Sequence, residues 1–314
     1  MEIQQLNHFL AAVRCGNFGE ASEQQFITQS GLSRSINNLE TRLGVQLFNR
    51  GPKGVTPTAF GEALVPHAEL VINNAIKAAA AIQNIAQKRT GSVSIGVTLN
   101  YGYYFIPGLL CYLINQYPGI SVDVHTGSFR ETIDMLERGE VDLCFGLLDM
   151  SYKKADIEVR ELFTTRSIVV ARPDHPLANL SNVTAEQLTQ HEWVLVDGPG
   201  FQHAFEEHFN QRNCKVIPVQ SVRTNSLALL QEILQRANHL TVLPEEIVAE
   251  DIENNLLARI DAETPADYAR AGLAINTNSN VTPAMEIVIE LIEKKAASMY
   301  PSNDPESTSS ETEK

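Results

Sequence analysis

A group of polar side chains recurs on one side of a helix predicted between Thr28 and Leu43. Five of them are short and uncharged, and one is an arginine. They are Gln29, Ser30, Ser33, Arg34, Asn37 and Asn38. Arg can donate two hydrogen bonds to guanine, Gln and Asn can pair with adenine, and Ser can bond a phosphate. This face therefore has the chemistry to read a DNA major groove. An ordinary solvated helix face is the alternative, and the polar pattern alone does not decide between them.

Apolar residues at helical spacing predict the elements that would position this face. Thr28 is a candidate N-cap and Gly44 a candidate stop for the helix, whose opposite side carries Leu32, Ile36, Leu39 and Leu43. Two helices are predicted before it. The first carries Ile3, Leu6, Phe9, Leu10 and Val13 and ends at Gly16, and the second is capped by Asn17 with Glu20 and turns Phe18 and Ala21 inward.

The segment from Val45 to Val55 predicts two short strands around a Gly-Pro-Lys-Gly turn. Such a wing would place Arg50 and Lys53 beside the phosphates of a neighbouring stretch of DNA backbone. A winged helix-turn-helix accounts for these strands and the three helices together.

The run FGEASEQQFITQSGLSRSINNLETRLGVQLFNR, followed by VTPTAFGEAL, resembles the signature of LysR-type transcription regulators. The resemblance implies base or phosphate contacts from Gln29, Ser30, Ser33 and Arg34, and it places Arg50 in the wing. Together with Thr28, Asn38 and Lys53, these residues form the predicted DNA-binding set. Ser22, Gln25, Gly31 and Ser35 depart from the usual family residues, so no family target sequence is transferred.

A long helix is predicted from about residue 58 to 89. Its apolar residues alternate in steps of four and three, at Leu64, Ala68, Val71, Ala75, Ala78, Ile82 and Ile85. A helix of this length runs roughly 50 Å, which one small domain does not cover. We expect a homodimer through residues 58–89 and assembly into a homotetramer, with packing on the chain's own domain as the alternative. Pro66 is expected to kink the helix.

From residue 90 the pattern changes to alternating strands and helices. Strands are predicted at 93–97, 120–124, 141–147, 167–171, 194–196, 216–219 and 240–242, and helices near 107–117, 129–138, 201–212 and 225–236. This alternation predicts parallel sheets covered by helices, with ligands bound beyond the carboxyl ends of strands.

The segments YPGISVDV, LERGEVDLCFG and ARPDHPLA extend the LysR resemblance to about residue 299. It implies an effector-binding domain similar to periplasmic binding proteins, with two subdomains, two crossing strands and a cleft. The expected subdomain I is about 90–163 and 268–299, and subdomain II is about 164–267. The complete expectation is an α/β chain with a winged helix-turn-helix at 1–57, a linker helix at 58–89, this domain at 90–299 and a disordered tail at 300–314.

The resemblance also implies which residues line the effector cleft, namely Thr98, Asn100, Ser128, Phe201 and Thr224. Hydroxyls, amides and free N–H groups at helix starts suit a small polar or anionic ligand. The alternative is purely structural, because Ser128 with Glu131 also forms an ordinary capping box and Thr224 is also a candidate cap.

Charge is distributed unevenly along the 314 residues. The net charge is −14, but residues 1–89 hold 8 Lys and Arg against 6 Asp and Glu, leaving 16 and 32 for the remainder. The acidic excess thus lies outside the predicted DNA-binding part, which is the part that must attract phosphate. The four cysteines have no paired spacing, so we expect buried thiols rather than a metal site or disulfides.

The remaining expectations concern location and activity. No run approaches the roughly 18 apolar residues of a membrane span, so we expect a cytoplasmic protein without membrane contact. No nucleophile, base or metal constellation can be assembled, so we expect no enzyme, no cofactor and no metal. The partners expected are double-stranded DNA and a small-molecule effector, with RNA polymerase left open. The competing hypothesis is a metabolite-binding or enzymatic α/β module with an appended helical N-terminus.

Overall fold

A computed structural model describes residues 1–51, 54–86, 91–149, 152–196, 199–264 and 268–300. For residues 81, 83–86, 199–201, 203, 204, 268 and 269, only the backbone is described. Lys53, the side chain of Phe201 and residues 301–314 of the predicted tail therefore lie outside the description. Tyr300 does not belong to a disordered tail as predicted, because its ring stacks on Phe163 with the centroids 3.8 Å apart.

Three helices form the N-terminal domain as predicted. They are α1 (Ile3–Cys15), α2 (Phe18–Gln24) and α3 (Gln29–Leu43). Gly16 and Gly44 end α1 and α3 in the left-handed conformation, which costs glycine little. The apolar stripes meet in one core, which contains Leu6, Phe9, Ala21, Leu32, Ile36 and Leu39.

The predicted wing is a two-stranded antiparallel sheet. Its strands are β1 (Phe48–Gly51) and β2 (Gly54–Pro57), and Arg50 pairs with Val55. The backbone N–H of Val55 donates to the Gly16 carbonyl oxygen over 2.8 Å, which ties the wing to the end of α1. A Cβ on Gly54 would lie 2.3 Å from that same oxygen, so this approach requires glycine.

The linker helix α4 spans Ala59–Ala86 and continues through Pro66, where a kink stays a prediction. The predicted heptad seam divides into two parts. Leu64 and the fully buried Ala68 pack on the N-terminal core of the same chain, which is the alternative considered from the sequence. Further along the seam, Val71 and Ile82 are exposed, Ile82 to 70%. Within the described part of the seam, this later part is the one left exposed to a partner chain.

A nine-stranded sheet spans the described part of residues 91–276, in the order β4-β3-β5-β11-β6-β9-β7-β8 with β10 paired to β6. The first strands are β3 (Gly91–Thr98), β4 (Ile120–Gly127), β5 (Leu143–Leu147) and β6 (Ile157–Ala171). They are followed by β7 (Glu192–Val196), β8 (Gln220–Thr224), β9 (His239–Pro244), β10 (Ala258–Ile260) and β11 (Tyr268–Asn276). Strands β3, β4 and β5 are parallel, as are β7, β8 and β9, whereas β6 and β11 run antiparallel to each other between the two groups.

Eight further helices follow α4 in the described ranges. They are α5 (Leu99–Tyr104), α6 (Ile106–Gln116), α7 (Phe129–Glu137), α8 (Ala185–Leu188), α9 (Pro199–Gln211), α10 (Leu227–Arg236), α11 (Glu245–Glu253) and α12 (Pro283–Met299). Separate apolar cores form around the two parallel groups. One includes Val93, Phe145 and Val288, and the other is divided into clusters around Trp193 and Leu230.

Two sequence predictions are wrong in this region. The apolar residues 216–219 do not form a strand, since Val216 and Val219 are exposed and the neighbouring strand β8 begins at Gln220. Strand β8 lies at the edge of the sheet with a largely polar sequence, so it gives no apolar signal. The cysteines are not uniformly buried either, because Cys144 is buried whereas Cys111 is exposed.

Candidate nucleic-acid interface and effector cleft

The polar face of α3 is presented to solvent. Gln29, Ser30, Arg34 and Asn38 are exposed and Ser33 is half-buried. On the other side of the helix, Leu32, Ile36 and Leu39 are fully buried. The apolar stripe therefore fixes how α3 is rotated, and that rotation turns the predicted contact residues outward.

The start of α3 is capped as the sequence predicts. The hydroxyl oxygen of Thr28 accepts from the backbone N–H of Gly31 over 3.1 Å and lies 3.2 Å from the Ser30 hydroxyl. A side chain at the N-cap satisfies one of the otherwise free N–H groups of the first turn. The hydroxyl of Thr28 thus has a structural task even though its residue is exposed.

A buried histidine fixes α3 against α1. Nδ1 of His8 lies 2.8 Å from the hydroxyl oxygen of Ser35. Burial lowers the pKa of His8, because the charged imidazolium loses hydration. Ser35, which departs from the family pattern, therefore contributes a contact between the first and third helices.

The wing is tied to α3 through Glu40. One carboxylate oxygen of Glu40 accepts the backbone N–H groups of Leu47 and Phe48, at 2.8 and 3.2 Å. The other oxygen lies 3.1 Å from Nη2 of Arg50. The guanidinium of Arg50 also donates to Asn37 and lies over the Phe18 ring, 5.3 Å from its centroid. Arg50 is thus held against its own domain rather than extended from the wing.

Three of the predicted effector residues lie at the carboxyl edge of β3 and β4. Thr98 ends β3, Asn100 lies two residues further in α5, and Ser128 follows Gly127, which pairs with Thr98 in the sheet. Thr224 ends β8 in the other group of strands, and the backbone of Phe201 lies in α9. The structure therefore brings Thr98, Asn100 and Ser128 together, and places Thr224 at a second strand end.

Most of these polar groups already have partners. The hydroxyl of Thr98 accepts from the backbone N–H of Leu147 over 3.0 Å. Ser128 forms a complete capping box with Glu131, whose carboxylate accepts from its N–H and hydroxyl, and these bonds lower the pKa of Glu131. Thr224 accepts from Ser226, which is the actual cap of α10. Among the described residues, only Oδ1 of Asn100 in this set is a buried polar atom without a hydrogen-bond partner.

A cluster of tyrosines joins the two groups of strands. Helix α5 contacts α10 and α11, and Tyr104 packs against the apolar cores on both sides. The Tyr104 and Tyr300 hydroxyls lie 2.5 Å apart, and burial raises the pKa of both. Nearby, the hydroxyl of Thr165 donates to the Glu246 carboxylate. The aromatic run at 101–105 was the available signal, but nothing local indicated its distant partners.

Two cavities among the described residues lie elsewhere. One of about 1010 Å³ is lined by residues that include Arg166, Thr184 and Arg212, and another of about 420 Å³ by residues that include Arg160 and Glu290. Neither contains any of the five predicted effector residues. Among the described residues, no three His, Cys, Asp or Glu side chains are grouped so as to hold a metal ion. Within the same ranges, no helix has the length and apolar character to cross a membrane.

Comparison with known proteins extends over nearly the whole chain. Residues 3–62 match the family model described as a bacterial regulatory helix-turn-helix protein of the lysR family, and residues 86–297 match the LysR substrate binding domain. The HTH-type transcriptional activator CmpR of Synechocystis is 25% identical over 262 residues, covering 83% of this chain and 84% of CmpR. The HTH-type transcriptional regulator TdcA of Escherichia coli K12 is 23% identical, covering 92% of this chain and 91% of TdcA.

Solved structures agree on the fold. Full-length CbnR in complex with its target DNA has a TM-score of 0.66 and 17% identity, and the alignment covers 94% of this chain and 100% of that one. A full-length variant of OxyR from Pseudomonas aeruginosa has a TM-score of 0.60 at 21% identity, covering 95% of each chain. With its helix-turn-helix domain and its effector-binding domain, the chain belongs to the LysR family of DNA-binding transcriptional regulators.

Proposed function

We propose that α3 enters the major groove of the target DNA and that Thr28, Gln29, Ser30, Ser33, Arg34 and Asn38 supply base and phosphate contacts. The observation that carries this proposal is the exposed polar face of α3, held in a fixed rotation by the buried stripe behind it. CbnR, whose fold is similar, has been solved on its target DNA. Lys53 and the wing add phosphate contacts, whereas Arg50 serves first to hold the wing in place.

The proposed assembly is a homodimer through the later part of α4, with dimers combining into a homotetramer. Val71 and Ile82 are large apolar residues of the seam, and both are exposed in the single chain. Burying them against a second copy would remove this apolar surface from water. A two-fold dimer also presents two copies of α3 to two half-sites, which is the usual arrangement for helix-turn-helix regulators.

The proposed effector site lies between the two subdomains, at about 90–163 with 268–299 and about 164–267. Asn100 supports it, because a buried amide oxygen that lacks a partner among the described residues is a ready acceptor for a donor on a ligand. Thr98 and Ser128 adjoin Asn100 at the same strand edge, and Thr224 and Phe201 belong to the facing subdomain. The bonds of Thr98, Ser128 and Thr224 to their own chain make them walls of this site rather than its principal donors.

We infer that the chain works in the cytoplasm, where a regulator meets genomic DNA, and that it acts by binding rather than by catalysis. RNA polymerase is a further proposed partner. A turnover screen of the full-length protein on candidate metabolites tests the enzymatic alternative. Robust catalysis would favour that alternative.

The experiment that tests the proposed function is a footprint on the DNA upstream of the gene, repeated across salt concentrations and with candidate metabolites. We expect a protected site with two half-sites one helical turn or a multiple of it apart. Affinity should fall steeply with salt, because phosphate contacts release counterions. If the purified protein showed no sequence-selective, salt-sensitive affinity for any fragment of its source genome, the proposed function would be wrong.

A further inference from the structure

Asn37 lies on the outward face of α3 but is not in the predicted contact set. It follows Arg34 by three residues and Ser33 by four, so the three side chains share one face of the helix. Asn37 is exposed, and it is the member of this face that the wing touches. A groove that accommodates Ser33 and Arg34 therefore also brings a base edge to Asn37.

The orientation of the Asn37 amide is set by Arg50. The guanidinium nitrogen Nη2 of Arg50 donates to the Asn37 side chain, and a guanidinium has donors but no acceptor. The amide atom that faces Arg50 must therefore be the oxygen. The NH₂ group of Asn37 is then the part of the amide that is left for other partners.

Arg50 is itself fixed from several sides, so this orientation is built into the fold. The Glu40 carboxylate lies 3.1 Å from Nη2, and the Phe18 ring lies beneath the guanidinium. Glu40 is held in turn by the backbone N–H groups of Leu47 and Phe48. The side chain of Glu40 is only 11% exposed, which strengthens its hydrogen bonds relative to those on an open surface.

We propose that Asn37 is a specificity-determining residue that reads the major groove as a hydrogen-bond donor only, with its polarity imposed by Arg50. A free Asn amide recognises adenine by donating to N7 and accepting from N6. Here the oxygen is turned towards Arg50, so it cannot face the base together with the NH₂ group, and the amide favours bases that present acceptors to that NH₂ group. These are guanine, through O6 and N7, and thymine, through O4, whereas adenine offers N7 but places beside it the N6 amino group, which the NH₂ group cannot pair with. The inference rests on the proposed placement of α3 in the groove.

Replacing Asn37 by Asp reverses the polarity with almost no change of shape. One carboxylate oxygen faces Arg50 as Oδ1 did, and the other points outward in the place of the NH₂ group. The outward atom becomes an acceptor, which suits the amino groups of cytosine N4 and adenine N6. The matched control is Gln46→Glu, which makes the same amide-to-carboxylate change at an exposed residue between α3 and β1.

The test is selection from a randomised duplex library by the wild-type chain, Asn37→Asp and Gln46→Glu, with each enriched pool sequenced. At one position in each half-site, we expect Asn37→Asp to shift the preferred base from guanine or thymine to cytosine or adenine. The relative enrichment should change roughly ten-fold or more. Gln46→Glu should weaken binding uniformly and leave the base preferences as they are in the wild type.

A second variant tests the part of the proposal that concerns Arg50. Arg50→Ala releases the orientation of the Asn37 amide, so adenine should be admitted at the same position through both N7 and N6, while the other positions keep their preferences. Thermal unfolding of each variant confirms that it is folded. If Asn37→Asp keeps the wild-type base profile, or if Arg50→Ala does not admit adenine, the proposal is overturned. If the wild-type chain enriches no sequence, the proposed function itself fails.

Discussion

Lys77 of the linker helix forms an ion pair with Asp142 at the start of β5, with Nζ and Oδ1 2.6 Å apart. The second carboxylate oxygen of Asp142 accepts from the backbone N–H of Ser94 over 2.7 Å. One turn earlier in α4, the amide of Asn73 donates to the Arg138 carbonyl oxygen over 2.7 Å. The effector-binding domain thus binds to helix α4, and the beginning of the same helix packs on the DNA-binding domain. Helix α4 therefore provides a direct physical link between the two domains.

The two members of this ion pair should differ in their effect on stability. Lys77→Met should lower the free energy of unfolding by no more than about 1 kcal/mol, because the pair is partly exposed. Asp142→Ala should cost roughly 1–3 kcal/mol, because it also leaves the Ser94 N–H without its charged acceptor. Urea unfolding of both single variants and the double variant measures the coupling. Lys294→Met, in an exposed pair with Glu290, is the control and should have almost no effect. Equal losses for Lys77 and Asp142 would contradict this assignment.

Removing Glu40 should loosen the wing. Glu40→Ala leaves the N–H groups of Leu47 and Phe48 without their acceptor, so the N-terminal domain should lose roughly 1–3 kcal/mol of unfolding free energy. DNA affinity should fall with it. Denaturant unfolding and binding titrations check both effects. Glu23→Ala, at an exposed position of α2, should change neither. A wild-type stability for Glu40→Ala would show that the wing is held by other contacts.

The N-terminal domain could be predicted closely because its signals are local. Thr28, Asn17 and the glycines Gly16 and Gly44 mark helix ends within a few residues of the apolar stripes that they bound. Spacing alone also predicted that α3 turns a polar face outward. Local spacing does not predict which partner each polar group bonds to. Arg50 was therefore predicted as an outward wing contact, although its guanidinium bonds to residues 10 and 13 positions earlier in the chain.

In the effector-binding domain, even more of the contacts join residues that are distant in the sequence and could not be predicted from local spacing. The apolar strands β3, β5 and β9 were recognised, whereas the polar edge strand β8 was misplaced because only Val222 marks its inner side. The sequence allowed two roles for Ser128, as a ligand donor and as a helix cap. In the structure Ser128 caps a helix. Tyr104 and Tyr300 are nearly 200 residues apart, so their contact follows from the sheet order rather than from any motif.

Arg34 should contribute to the choice of sequence as well as to affinity. It is exposed near the centre of the outward face of α3, and a side chain that forks onto guanine is worth roughly 1–3 kcal/mol. Arg34→Ala should therefore weaken binding by that amount and relax preference at one base position. Selection on randomised duplexes measures both quantities. Arg42→Ala removes the same charge from the last turn of α3 and is the control. Identical base profiles for Arg34→Ala and the wild type would remove Arg34 from recognition.

A charge placed in the later part of the linker seam should prevent dimerisation. Ile82 is 70% exposed in the single chain, so Ile82→Glu should leave the folded monomer intact while burying an unpaired carboxylate in the dimer. We expect a smaller assembly than the wild type by analytical ultracentrifugation and weaker binding to a two-half-site duplex. Ala63→Glu is the control, because Ala63 is exposed and lies outside the later part of the seam. This variant should remain associated. An Ile82→Glu protein that sediments with the same mass as the wild type would place the interface elsewhere.

His175 lies buried just after β6, near side chains that are or can become positively charged. Its Nδ1 accepts from the backbone N–H of Leu177 over 3.2 Å, and the ring centroid of His191 is 4.7 Å away. Burial, followed by the nearby His191, Arg172 and His239, lowers the pKa of His175 to about 4, although Asp174 opposes the shift. The folded protein therefore keeps this imidazole neutral at a pH where an unfolded chain protonates it.

The unfolding free energy should consequently fall as the pH drops from about 6.5 towards 4. In that window the unfolded state binds more protons at His175 than the folded state does, so protonation favours unfolding. His175→Asn keeps an acceptor for the Leu177 N–H but cannot titrate, and it should flatten the dependence measured by urea unfolding at stepped pH. Some slope should remain, because burial also lowers the pKa of His8 and His191. His67→Asn, at an exposed position of α4, should keep the full slope. If His175→Asn retained it as well, the buried imidazole would not be the group that makes this protein acid-sensitive.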